Sequence, residues 1–232
     1  MDLQALEAVD RQLLMMLNGS ESPLLDQMVL NFTNGLTWAA LYITLFYVVI
    51  KNNETMSQIG LAIGGVVLAL LLSGGIDDGI VKPLVARPRP CVDPLIEYSV
   101  NVVHGYRLPG YGFFSAHAAN TMALAVFISL LLRSRLVTSA FLLWSLLNGL
   151  SRIYLGVHYP GDVLCGFVWG ALAGIVAYLV YFRLYSRMSP KIKYISSQYT
   201  SAGYDYADIH MLMAVMVLTL CYVIIKAVIC VV

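Results

Sequence analysis

The chain has 232 residues, 59% of them hydrophobic and only 12% charged, with a formal net charge of +1. A soluble domain carries about 25% charged residues, so an ordinary water-facing fold is excluded and a membrane protein is expected. The balance of 14 Lys+Arg against 13 Asp+Glu offers no general attraction to nucleic acid, and four scattered cysteines make no disulfide framework, so free thiols are expected.

In chain order, residues 1–18 place Leu3, Leu6, Val9, Leu13, Leu14 and Leu17 at helical spacing, with Asp2, Glu7, Asp10 and Arg11 falling elsewhere. That pattern describes an amphipathic helix lying at a membrane interface, or a helix packed on the rest of the protein. It lacks a basic leader region, so it is not read as a signal peptide. Beyond Asn18-Gly19-Ser20, apolar runs of bilayer length predict spans near 28–50, 57–80, 115–132, 136–156, 162–182 and 209–231. The fold expected is a single all-α domain of six transmembrane helices, with a polar connector at 81–114 and a tyrosine-bearing one at 183–208. Tyr194, Tyr199, Tyr204 and Tyr206 suit an interfacial belt.

Orientation follows the loops that hold Lys and Arg. With the N-terminus outside, Lys51, Arg133, Arg135, Arg183, Arg187, Lys191 and Lys193 fall on the cytoplasmic side. The two sides tie until Lys82, Arg87, Arg89, Arg107 and Arg152 are set aside as site residues. On that condition the chain is expected in the plasma (inner) membrane, with connector 81–114 and turn 156–162 on the outer face.

Three segments carry the chemistry. Lys82-Pro-Leu-Val-Ala-Arg87-Pro-Arg89-Pro90 crowds three cations into a stretch whose three prolines deny it a regular helix. Ser115, in Phe114-Ser115-Ala116-His117, is a good N-cap residue before an apolar run, so free backbone N–H groups at that helix start make an anion site. Ser151-Arg152 with His158 and Asp162 brings an Arg, a His and a carboxylate to one membrane face. Taken singly, these segments equally suit a headgroup anchor, a helix cap and a satisfied hydrogen bond. Together they suit a phosphate: cations and N–H donors stabilise its oxygens, one His attacks phosphorus with its ring oriented by a carboxylate, and a second protonates the leaving oxygen.

This pattern resembles the three-part signature of the type 2 phosphatidic acid phosphatase superfamily. Lys82 and Arg89-Pro90 match the first part, Phe114-Ser115-Ala116-His117 the second in part, and Ser151, Arg152, His158 and Asp162 the third in full. Phe114 and Ala116 stand where the family usually has Pro and Gly. The resemblance implies His158 as nucleophile, Asp162 as its partner, His117 as acid, and Lys82, Arg89, Ser115, Ala116 and Arg152 as the phosphate holders, with no metal or other cofactor. It implies a lipid phosphate as substrate, the bilayer as partner and no nucleic acid. The run Phe114-Ser-Ala-His-Ala-Ala-Asn120 is similar to bacterial undecaprenyl-diphosphate phosphatases, which ranks undecaprenyl diphosphate first, then phosphatidylglycerophosphate and lipid A. Two other classes remain open. One is a lipid or phosphate transporter, and the other a metal hydrolase using His104, His117, His158 and Asp162. Arg87 and Arg107 suit either a second substrate phosphate or loop and headgroup contacts, and Asp77 and Asp78 are expected to pair with Lys82.

Overall fold

The structure, a computed structural model, describes residues 3–188 and 197–231. Lys191, Lys193 and Tyr194 of the expected second connector lie outside them. Among the described residues the fold is all-helical: α1 (Leu3–Leu17), α2 (Pro23–Thr33), α3 (Ala39–Lys51), α4 (Met56–Leu70), α5 (Lys82–Val85), α6 (Ala116–Leu132), α7 (Arg135–Tyr154), α8 (Pro160–Met188) and α9 (Tyr206–Val231).

Among the described residues, four helical rods are long and apolar enough to cross a membrane: Met56–Val85, α7, α8 and α9. A fifth is formed if the bent pair Pro23–Thr33 and Gly35–Lys51 counts as one span. α6, with 17 residues, is a shorter apolar helix.

Where a single rod over 28–50 is expected, the chain bends by 66°. Asn34 adopts extended dihedrals and its side chain caps the next turn through the Leu36 N–H. Side chains across the bend take up the carbonyls freed at the end of α2: Thr37 donates to Asn31 O and the Trp38 indole to Phe32 O. Buried backbone acceptors are thus satisfied without water.

The second rod corrects the expectation that Lys82 and Pro83 lie in a loop. After a capping box at Thr55 and Gln58, α4 runs through two π-helical turns, Leu71–Gly75 and Asp77–Val81, straight into α5. The widened turns accept Pro83, whose missing N–H and ring would clash in a regular α-helix. The rod stops at Ala86, in the left-handed conformation.

α6 runs through the middle of the molecule, buried against α8, α7 and α4. Its approach to α8 is close because Gly166, Gly170 and Gly174 repeat every fourth residue. A Cβ on any of them would collide with the carbonyls of Ser115, Ala119 and Ala123. α9 packs on α2 and α3. At one end of the bundle, Asp208 ties α9 to Lys51 at 2.6 Å and Asn52 at 2.8 Å. The opposite end gathers the end of α5, the starts of α6 and α8, the end of α7, connector 86–115 and α1.

Candidate active site

Each motif residue is placed by a helix terminus at that second end. Lys82 opens α5, Arg89 follows the break at Ala86, Ser115 caps α6, and Ala116 and His117 are its first two residues. Arg152 ends α7, Asp162 lies in the first turn of α8, and His158 sits in the turn between them, which Gly156 permits by its positive φ of 68°.

His158, 2% exposed, lies 3.0 Å through Nε2 from Arg89 Nη1. A guanidinium only donates, so Nε2 is the acceptor and the ring proton belongs on Nδ1. That nitrogen faces Asp162 Oδ2 at 3.7 Å, too long for a hydrogen bond, and the Gly112 backbone lies close to the ring. The Asp162 carboxylate is held by Arg87 Nη1 at 2.6 Å and the Tyr159 N–H at 3.0 Å. Asp162 therefore stands beside His158 as expected, but its short bonds go elsewhere. Burial, reinforced by the charges of Arg89, Arg152 and Lys82, holds His158 well below the usual histidine range. At neutral pH the ring is an uncharged imidazole with its lone pair turned toward the cations.

Those cations fall into two groups. Lys82 is neutralised, with Nζ 3.0 Å from Asp77 Oδ2 and a second bridge to Asp78. Asp77 also accepts the Phe114 N–H at 3.2 Å, tying the end of the second rod to the start of α6. Arg87 is neutralised by Asp162 and by Asp10 of α1, and its guanidinium lies 4.0 Å from the Tyr159 ring centroid. Arg89 and Arg152, 6% and 0% exposed, meet no carboxylate among the described residues. Arg89 reaches only the carbonyls of Pro109 and Val157 besides His158. Arg152 reaches the Thr33 hydroxyl at 2.9 Å and the Tyr106 hydroxyl at 3.3 Å, and its Nε has no partner. Burial and the neighbouring Arg152 depress the Arg89 guanidinium, the mark of a buried cation short of an anion.

Ser115 is fully buried and caps α6 through the Ala118 N–H at 3.4 Å, while Ala116 supplies an N–H outside the helical ladder. His117 is exposed on the open side, within electrostatic reach of Arg152, His158, Lys82 and Arg89. Below it a half-open cavity of about 380 Å³ descends between α3, α4, α6 and α7. Asn120 and Thr121 line it together with apolar side chains that include Tyr42, Leu45, Ala62, Val66, Leu124, Ile128 and Trp144. His117, Thr121, Leu124 and Ile128 share one face of α6 at i, i+4, i+7 and i+11, so that stripe runs about 16 Å along the helix from the imidazole.

The geometry thus brings all eight expected residues to one end of the bundle. His104 is elsewhere, exposed and 3.2 Å from Gln27 Nε2. Among the described residues no three of His, Cys, Asp or Glu gather as metal ligands. Arg107 donates to the Cys91 carbonyl at 2.6 Å. Sequence reasoning missed Asp10, Thr33 and Tyr106, which touch the cations from far along the chain. The one signal among them was Asp10, a carboxylate on the polar side of an amphipathic helix.

Known proteins resemble this chain over most of its length. The family model described as the PAP2 superfamily matches residues 61–186. A lipid A 4′-phosphatase of Bacteroides thetaiotaomicron is 32% identical over 188 residues, 80% of this chain and 83% of that protein. One from Porphyromonas gingivalis is 35% identical over 182 residues, 77% of this chain and 75% of that one. The crystal structure of Aquifex aeolicus LpxE superposes with a TM-score of 0.56 at 26% identity, covering 72% of this chain and 92% of that one. The chain belongs to the PAP2 superfamily, as a membrane lipid phosphate phosphatase.

Proposed function

We propose that this phosphatase removes the 4′-phosphate of lipid A, through a phosphohistidine on His158, at the outer face of the inner membrane. The observation that carries the reading is the pair of buried guanidinium groups, Arg89 and Arg152, which meet no carboxylate among the described residues, with Arg89 on the lone pair of His158. An arriving phosphate supplies the missing anion. Arg89 then turns its N–H from Nε2 to a phosphate oxygen, which frees the lone pair.

Nε2 forms a bond to phosphorus as the phosphorus–ester oxygen bond breaks, and the electron pair leaves on that oxygen, which takes a proton from His117. Arg89, Arg152, Lys82, Ser115 and the Ala116 N–H steady the equatorial oxygens. Asp162 offsets the positive charge that develops on the ring. Water then gives a proton to His117 and its oxygen to phosphorus, and the N–P bond breaks with its electron pair returning to Nε2.

The substrate ranking changes from undecaprenyl diphosphate to lipid A for two reasons. Arg87 and Arg107, the cations that would meet a second phosphate, are engaged by Asp10, Asp162 and the Cys91 carbonyl. Two relatives that match over three quarters or more of their own length are lipid A 4′-phosphatases. The apolar cavity below His117 suits an acyl chain whose phosphate sits at His158.

Six crossings follow if the bent pair α2–α3 and the 17-residue α6 each count. At 1.5 Å per residue α6 is about 26 Å long, near the thickness of the hydrocarbon core. The end opposite the site carries Lys51, Arg133, Arg135, Arg183 and Arg187, which supports a cytoplasmic assignment for that end.

The test is phosphate release from 1,4′-bisphosphorylated lipid A, undecaprenyl diphosphate and phosphatidylglycerophosphate, with excess chelator and with His158→Ala in parallel. The expected result is chelator-resistant release from the 4′ position, lost in the variant. A clear preference for undecaprenyl diphosphate would overturn the substrate assignment.

A further inference from the structure

We propose that Asp10 of α1 is a positioning residue for the phosphatase reaction, acting through Arg87 to set how Asp162 holds the nucleophile His158. The inference rests on the reading of His158 and Asp162 given above. α1 lies outside residues 61–186, the part of the chain that the family model matches.

The contacts run in one line. Asp10 Oδ2 is 2.7 Å from Arg87 Nη2, and Arg87 Nη1 is 2.6 Å from Asp162 Oδ1. The other oxygen of Asp162 accepts the Tyr159 N–H and faces His158 Nδ1. One guanidinium is thus shared by two carboxylates. Without Asp10 its whole charge falls on Asp162, whose oxygens then become poorer acceptors for the Nδ1 proton and poorer counterions for the charge that builds on the ring.

The guanidinium cannot drift, because it lies over the Tyr159 ring while the Tyr159 hydroxyl donates to Asp93 at 2.6 Å. Arg11, next to Asp10, comes within 3.9 Å of that same Asp93. The second oxygen of Asp10 accepts the Gly161 N–H at 2.7 Å, at the start of the helix that carries Asp162. Gly161 has to be glycine for this approach, since a Cβ there would press on the Asp10 carboxylate. One turn on, the fully buried Leu14 seats the same face of α1.

Asp10→Asn separates positioning from anchoring, because the amide oxygen still accepts the Gly161 N–H while the negative charge that faces Arg87 is lost. With the lipid phosphate that wild type turns over fastest, kcat is expected to fall about tenfold, equivalent to about 1.4 kcal/mol. KM and Tm should stay near wild type. In an Arg87→Gln background, where Asp162 is already free of the guanidinium, the same substitution should cost nothing further. A wild-type kcat in Asp10→Asn would overturn the proposal. So would a loss that recurs at full size without Arg87, since a helix anchor acts regardless of that side chain. His158→Ala runs alongside: retained turnover there would overturn the nucleophile assignment and the positioning role with it, whereas an inactive His158→Ala beside a fully active Asp10→Asn would overturn positioning alone.

Discussion

Arg152 shows how a single residue divides stability from activity. A fully buried guanidinium with an unpartnered Nε costs desolvation that two hydroxyl acceptors only partly offset. Arg152→Met should therefore keep or raise Tm while kcat/KM falls about 10²- to 10³-fold, the loss typical of removing one preorganised donor. Thermal unfolding beside a phosphate-release assay checks both. His158 makes a second prediction at this scale. Its protonated form is disfavoured in the fold, so acidification below about 6.5 protonates the unfolded chain but not the native one, and the stability this residue contributes is lost as pH falls. Between pH 7 and 5 wild-type Tm should drop more than that of His158→Gln; parallel slopes would contradict the burial argument. The eight candidate residues that meet at one end of the bundle were legible in the sequence, because each belongs to a short motif. Asp10, Thr33 and Tyr106 were not, since their bonds to Arg87 and Arg152 close loops of 46 to 119 residues and no local pattern announces such a partner.

Among the elements, α6 is the one on which the site is assembled. Its first turn carries Ser115 to His117, its next face lines the cavity, and its back lies against the glycines of α8. Gly170→Ala would push a methyl into the Ala119 carbonyl, moving α8 with Asp162 away from α6 with His117. Tm and kcat should fall together, whereas in Arg152→Met only activity falls. Val66→Trp, within the cavity, should raise KM for a long-chain lipid phosphate and leave a short-chain analogue nearly unaffected. An equal effect on both would argue against an acyl chain there. The Gly166-Gly170-Gly174 spacing is legible in the sequence as a close-packing stripe. The bend at Asn34 and the π turns before Lys82 were not visible, because hydropathy alone does not mark where a backbone ladder widens or breaks.

For the whole molecule, composition alone pointed to membrane helices, and the alternation of loops between the expected spans put the three motifs on one side of the membrane. What neither conveyed is the rest of the division of charge: Arg87, like Lys82, is held by carboxylates, while Arg89 and Arg152 meet none among the described residues. That division underlies the claim that one phosphate at a time is handled, by attack from His158. Rapid-quench peptide mass spectrometry under alkaline conditions, on enzyme mixed with 4′-phosphorylated lipid A, tests this most directly. The account predicts a transient phosphoryl group on the peptide carrying His158, absent from His158→Ala. Steady turnover by His158→Ala, or a phosphoryl group on another residue instead, would contradict it.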